Sequence, residues 1–488
     1  MKDVVMMIEL SSCKRDILFN LIKKNTRFSN NDPPLACISA PIIGGLWRIS
    51  KNPPEDLLGL AKKCGKIYGI WFGDNYTVFI NDLQILEEAF IKKNQIFGNR
   101  PIVPSLRIVC ENYNNLVLND IDTWKPLRRF IDQSFTKTKL KALSSTIDLQ
   151  SNNLIRKLKE LSKDGQPVNP APYYRKYTFS IILKMMFNVE LSYEDEPDSG
   201  IMHTIFSPID ELVNRIAQGA IFDTVHILGP IYYHLYGRPL NRKLDSVRNI
   251  TKQFIDQHRQ TIDPKNIRDI LDLFILGEYD DEIIINVFFD MLFAGVETTA
   301  STLQWLSIVM SNQPHEQELL REEIRSTFVH SEDIQPTADR SDCPQTCAVM
   351  KEILRYRMVV PFSVPRIASE DTTLGGYFIP KGTHLMGNFY ALHATQFKDA
   401  DQFKPSRFLD DTSFSNPTLS SQWVPFSIGP RNCLGFGLAR EELQLSVAKI
   451  FHNFKISSFD GGQLDETPVH GITVAPKYQH IYKFEFLN

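Results

Sequence analysis

The stretch PFSIGPRNCLGFGLAREE, Pro425 to Glu442, decides how this chain is read. Its cysteine, Cys433, sits among Gly429, Pro430, Gly435 and Gly437. Those glycines let the backbone bend around the sulfur and come close to a flat ligand. A helix is expected just after it, over about Leu434–Phe454, and its first N–H groups favour a thiolate. Arg431 adds positive charge nearby and can pair with a carboxylate. A soft thiolate in this setting suits iron. Taken alone, a solitary cysteine is a small core residue, so the rest of the sequence must carry the distinction.

The chain has 488 residues, 54 Lys+Arg against 57 Asp+Glu, and a formal charge of −3. It is 43% hydrophobic and 23% charged, which supports a large core. Nucleic-acid binding is excluded, because neutralising phosphates needs a clear cationic excess. The seven cysteines (Cys13, Cys37, Cys64, Cys110, Cys343, Cys347 and Cys433) are odd in number and scattered. That suits a reducing compartment, not a disulfide framework. Cys343 and Cys347 lack a second Cys/His pair at zinc spacing, and no P-loop, dinucleotide fingerprint or Gly-x-Ser-x-Gly occurs. Near the start, Lys2, Asp3 and Glu9 interrupt the only apolar patch. It matches neither a span of about 20 apolar residues nor a signal peptide, so residues 1–32 read as a lead-in without an anchor.

Patterning beyond that is mainly helical with a small β-rich region. Arg27 to Pro54 reads as irregular, followed by strands at Lys66–Phe72 and Thr77–Ile80 around a Gly-Asp-Asn turn. Helical periodicity covers Asp120–Leu161, Pro172–Met186, Tyr279–Met310, Pro314–Phe328 and Pro344–Met358. Ser369–Tyr390 and the tail Lys455–Asn488 are β-like. Tyr279–Met310, roughly 48 Å long, is apolar nearly all round, so a membrane helix is its rival reading. Asp290 and Glu297 in its middle would be costly in lipid, and a buried central helix is expected. No repeat or linker divides residues 33–488, which read as one large domain.

The run Phe426-x-x-Gly429-x-Arg431-x-Cys433-x-Gly435 resembles the haem-binding signature of the cytochrome P-450 family, the haem-thiolate monooxygenases. Three further motifs match the family in its order. Ala294-Gly295-Val296-Glu297-Thr298-Thr299 resembles the oxygen-activating groove of its long helix; without that context, Gly-x-x-Thr is packing plus a back-bonded hydroxyl. Glu352-Ile353-Leu354-Arg355 resembles the Glu-x-x-Arg pair, which the family locks to a third residue, here Arg407 in Phe403-Lys404-Pro405-Ser406-Arg407-Phe408. Trp124-Lys125-Pro126-Leu127-Arg128 resembles its Trp-x-x-x-Arg helix.

The resemblance implies the cytochrome P-450 fold, with its long central helix over a haem b whose iron is held by the Cys433 thiolate. It implies that Trp124, Arg128, Arg366 and Arg431 face the haem propionates. Phe426, Gly435, Ala294 and Gly295 would pack on the cofactor, and Glu297 and Thr298 would handle protons. The expected activity is insertion of one oxygen atom from O2 into a lipophilic small molecule. Ile102–Leu118, Ile201–Ile231, Phe288–Thr298, Val359–Val364 and His470–Ala475 would shape the pocket, with Phe288, Phe289, Phe293 and Phe362 toward the haem. Electrons must come from a redox partner such as an NADPH-dependent cytochrome P-450 reductase. It would dock on Lys125, Arg129, Lys137, Lys139 and Lys141, whose alternative is a solvated face. Localisation is expected to be cytoplasmic, or peripheral on the endoplasmic reticulum membrane. A haem-thiolate isomerase or dehydratase acting on peroxides and a non-enzymatic haem sensor stay open as rivals. His384 and His393 read as local hydrogen bonders.

Overall fold

Two residues, Gly73 and Asp74, turn the chain between strands β1 (Ile67–Phe72) and β2 (Asn75–Ile80). The Gly73 φ of +54° makes that turn tight. A computed structural model describes residues 24–25, 31–108, 110, 112–218, 220–335, 342–409, 422–471 and 473–486. Most of the 1–32 lead-in lies outside these residues. The 31–54 stretch is not a free approach to the body: Leu35 bridges Gly69 of β1, and a helix already begins at Pro53.

The β content is small and placed at the edges of a helical body. β3 (Arg366–Ile367) and β6 (His384–Gly387) complete a sheet in the order β1-β2-β6-β3. Between them β4 (Thr372–Leu374) and β5 (Tyr377–Ile379) form a hairpin. In the tail, β7 (Phe454–Ser458) pairs with β10 (Tyr482–Phe486), and β8 (Pro468–His470) with β9 (Val474–Pro476). The expected β-like regions are therefore present as short ladders.

The helical pattern over 120–161 resolves into α1 (Ile121–Asp132) and α2 (Lys137–Leu161), separated by one 3-10 turn. Thr136 caps α2 by accepting from the Lys139 N–H. α3 (Ala171–Phe187) follows, then α4 (Gly200–Gln218) and α5 (Asp245–Thr261). α6 runs from Asp281 to Asn312, 32 residues. Pro sits in the first turn of α7 (Pro314–Thr327) and α8 (Pro344–Tyr356), where its missing N–H costs nothing. α9 (Phe436–Asn453) follows Cys433.

α6 is long and apolar enough to cross a membrane, yet two-thirds of its apolar stretch is buried inside the protein. Its flanks explain this: α3 and α9 pack directly along it, and Phe288, Trp305 and Met310 are fully enclosed. The two charges that argued against lipid are both partnered, Asp290 by a neighbouring segment and Glu297 by Arg175. One turn of α6, Leu292–Val296, is π-helical, a local widening found at functional sites.

Candidate active site

The π-helical turn opens α6 at Ala294 and Gly295, and the Cys433 loop faces it across a cavity of about 320 Å³. Phe426 closes the loop: its carbonyl accepts the Cys433 N–H at 3.0 Å. Gly429 has a φ of +79°, and a Cβ there would lie 2.2 Å from the Phe90 carbonyl oxygen. Only glycine fits that approach. Gly435 has an ordinary φ of −80°, and the Cys433 sulfur is all a Cβ would meet, at 4.0 Å. Its role is space beside the sulfur, not backbone freedom.

Cys433 is enclosed by protein but open to the cavity. Burial pushes its thiol up, while the Gly435 N–H and the charge of Arg128 act in the opposite sense. The supporting cation is thus Arg128, where sequence proximity pointed to Arg431. A metal bound at the sulfur would deprotonate it outright.

Cavity-lining residues include Trp124, Arg128, Ala294, Gly295, Thr298, Arg366, Phe426, Arg431, Cys433 and Gly435. Of the expected catalytic, cofactor-binding and metal-ligating residues, Glu297 alone is not on that wall. Its carboxylate is ion-paired with Arg175 of α3, which also holds Asp210 of α4. Burial pushes the Glu297 carboxyl up, and Arg175 acts against that. The Thr298 hydroxyl donates to the Ala294 carbonyl at 2.7 Å, leaving its lone pairs to the cavity. Gly295 has a second reason to lack a side chain: a Cβ would lie 2.7 Å from Ile182 of α3.

Four arginines converge here. Arg366 donates to Asn94 at 3.0 Å and lies 3.7 Å over the Phe90 ring, but its Nε has no partner. Arg431 donates to the Asn119 carbonyl and stacks 4.5 Å over Trp124, leaving Nε and Nη1 unpartnered. Arg128 reaches the Asn432 carbonyl at 2.9 Å. The fourth, Arg100, donates to the carbonyls of Val117, Val364 and Pro365. Burial lowers Arg366 to about 9 and Arg431 to about 10, and neighbouring arginines push both the same way. Buried guanidinium groups with free donors demand anions. Two propionates beside a flat, apolar ring meet that demand, so the residues present fit haem.

Sequence reading missed Arg100, Asp290 and Glu442, all on the cavity wall. Glu442 is fully buried, hydrogen-bonded to Thr299, and pushed well above the usual carboxyl range by burial. The expectation for the phenylalanines holds only for Phe362. Phe288 and Phe289 are packed into the core, Phe288 against Phe187. Helical spacing explains it: residues three and four before Ala294 share its face, and these are Met291 and Asp290. Leu116, Val117, Val359, Val360, Phe362, Ser363 and Val364 reach the cavity; among the described residues, none of Ile201–Ile231 or His470–Ala475 lines it.

The motif between α8 and Arg407 closes as expected. Glu352 accepts from Arg355 Nε and Nη2 at 2.7 and 2.8 Å and from Arg407 at 3.1 Å, with no solvent exposure. His393 accepts from the Val424 N–H at 3.0 Å, steadying the chain before the cysteine loop.

A family model described as cytochrome P450 matches residues 33–484. The chain belongs to the cytochrome P450 family. Its relatives include probable cytochrome P450 508D1 of Dictyostelium discoideum, 34% identical over 94% of this chain and 95% of that one. Probable cytochrome P450 519A1 of the same organism is 29% identical over 95% and 96%. A zebra fish cytochrome P450 structure with progesterone superposes with a TM-score of 0.76 at 23% identity, over 89% of this chain and 100% of that one. This P450 is therefore an oxidoreductase of the haem-thiolate monooxygenase class, mostly helical and folded as one domain.

Proposed function

We propose that this P450 hydroxylates or otherwise oxygenates a lipophilic small molecule, with Cys433 as the axial ligand of haem b. The observation that carries the reading is the meeting of the Cys433 sulfur, unpartnered arginine donors and the Thr298 face on one cavity. When bound, the haem supplies O2 activation and transfer of one oxygen atom, the other leaving as water.

The protein's share is binding, orientation and proton supply. Trp124, Arg128, Arg366 and Arg431, joined by Arg100, would hold the propionate edge through charge-assisted hydrogen bonds. Phe426 and Gly435 pack the cysteine side, and Ala294 and Gly295 keep the opposite side free of bulk. The Thr298 hydroxyl, anchored to the Ala294 carbonyl, presents its oxygen to the reacting face. Glu297 is the adjacent acid that restores its proton. Leu116, Val117, Val359 and Phe362 give the pocket an apolar wall, hence a lipophilic substrate.

Electrons come from a separate NADPH-dependent reductase. Arg129, Lys137, Lys139 and Lys141 are exposed, and Gly437 of the cysteine helix packs on Leu140 of the same α2 segment. A basic face this close to the cysteine side suits an acidic partner. At another end, Ile38, Ile42, Trp47, Ile227, Ile231 and Leu235 are exposed. The Gly73-Asp74 turn holds both segments, bonding the carbonyls of Ile43 and Thr224. That apolar end suits peripheral contact with the endoplasmic reticulum membrane, with residues 33–488 as the haem domain behind the 1–32 lead-in.

The test is the reduced, CO-bound absorption spectrum of the purified protein beside Cys433→Ala. A strongly red-shifted Soret band, lost in the variant, is expected. An unshifted band, or a band the variant keeps, would remove Cys433 as the ligand.

A further inference from the structure

Three polar residues spaced four apart on α6, Glu282, Asn286 and Asp290, lead at the same spacing to Ala294 and Thr298, each neighbouring the next across one turn. Each grips the same neighbouring segment, residues 112–118. Glu282 accepts from the Asn112 side chain at 2.9 Å, and Asn286 donates to the Asn114 carbonyl at 3.4 Å. Asp290 takes three bonds: from the Asn115 side chain at 2.8 Å, the Leu116 N–H at 2.7 Å and the Val117 N–H at 3.1 Å. Asn115 in turn accepts the Leu118 N–H at 2.9 Å. The segment is thus laid along α6 rung by rung, most tightly at the rung one turn before Ala294.

That last rung is also the cavity wall. Asp290, Leu116 and Val117 all line it. The segment's other edge is held from the propionate end, because Arg100 donates to the Val117 carbonyl at 2.9 Å. Val117 is therefore clamped through its N–H by Asp290 and through its C=O by Arg100.

We propose that Asp290 is a positioning residue that sets how much room the substrate has, by clamping Leu116 and Val117 against α6. As the anion, Asp290 accepts three donors at once, two of them backbone groups. The segment has no regular structure of its own to hold it. Loss of the clamp frees the wall to move outward, and large ligands gain more than small ones. The inference rests on the cavity being the haem and substrate site.

Two measurements on the full-length, haem-loaded protein test it, comparing wild type with Asp290→Asn, Asp290→Ala and Asn286→Ala. Hydrogen exchange at the Leu116 and Val117 amides should speed up by about tenfold or more in both Asp290 variants and less in Asn286→Ala. Amides of α9 should keep their protection. In spectral titrations with imidazole and 4-phenylimidazole, the affinity ratio should shift toward the larger ligand by about tenfold. Unchanged exchange and an unchanged ratio would overturn the proposal. So would equal deprotection of α9, which would make Asp290 a general stability residue. Hydrogen exchange needs no particular haem ligand, so a failure of Cys433 to ligate iron would appear in the CO spectrum and leave this outcome readable.

Discussion

Glu297 is ion-paired with Arg175, and the pair keeps the acid off the cavity wall that its chain neighbour Thr298 lines. Arg175 is shared: it also binds Asp210 and lies 3.9 Å over the Phe206 ring. Glu297 is thus tied to a cation whose second partner is half-exposed on α4. This gives the acid a link to solvent that does not pass through the substrate pocket.

Removing Arg175 would leave a largely enclosed carboxylate without its counter-ion. Arg175→Met should lower the unfolding free energy by about 1–3 kcal/mol, and by clearly less when Glu297→Gln is already present. Urea unfolding of the two single variants and the double gives the coupling. Additivity within about 0.5 kcal/mol would mean that the pair contributes nothing of its own.

Glu352 accepts from two arginines and from the Lys404 N–H at 2.7 Å while wholly buried. Glu352→Gln would strand Arg355 as an unpaired buried charge, a cost of about 3–5 kcal/mol. The expected result is little folded, haem-containing protein. Arg407→Lys should be milder, because Arg407 sits nearer the surface. Equal yields of the two variants would contradict this ranking.

How legible was this in sequence? The Cys433 loop, the Glu352–Arg355–Arg407 network and the long central helix were readable because each is local or has a fixed spacing. The direction of side chains around α6 was not. Phe288 and Phe289 look like pocket residues until the facing positions are counted back from Ala294 to Asp290 and Met291. Arg100 escaped because its partners, Val364 and Pro365, lie far along the chain. The pairing that takes Glu297 off the cavity wall escaped because Arg175 belongs to another helix. Long-range pairing decides those residues, and no local pattern encodes it.

The glycines of the cysteine loop should separate cleanly. Gly429→Ala forces a Cβ onto the Phe90 carbonyl at a backbone angle that only glycine tolerates. Folded yield should collapse. Gly435→Ala meets only the Cys433 sulfur. It should fold, with its defect confined to haem content. Circular dichroism melting together with haem absorbance distinguishes the two outcomes; an equally stable Gly429→Ala would refute the packing argument.

Arg366 should matter in opposite directions for the fold and for the cofactor. Burial lowers Arg366 to about 9, and the charge of Arg431 beside it pushes the same way. Arg366→Met should therefore raise the urea midpoint of haem-free protein. The same change removes a propionate partner, so haem should transfer to an acceptor protein about tenfold faster or more. A variant that is less stable without haem would show that packing over Phe90 outweighs the repulsion.

Asp290 should leave a signature in the pH dependence of stability. Burial pushes its carboxyl up to about 7, against the three donors that favour the anion. An unfolded chain releases this proton near about 4. Between those values the native state binds more protons than the unfolded one, so Asp290 makes the unfolding free energy fall as pH rises. Asp290→Asn has nothing to titrate and should show a flatter slope from about pH 4 to about pH 7, the two curves running parallel above that window. Urea unfolding at closely spaced pH values measures both. Curves that stay parallel through the window would mean that Asp290 is already ionised at acid pH, its three donors outweighing burial.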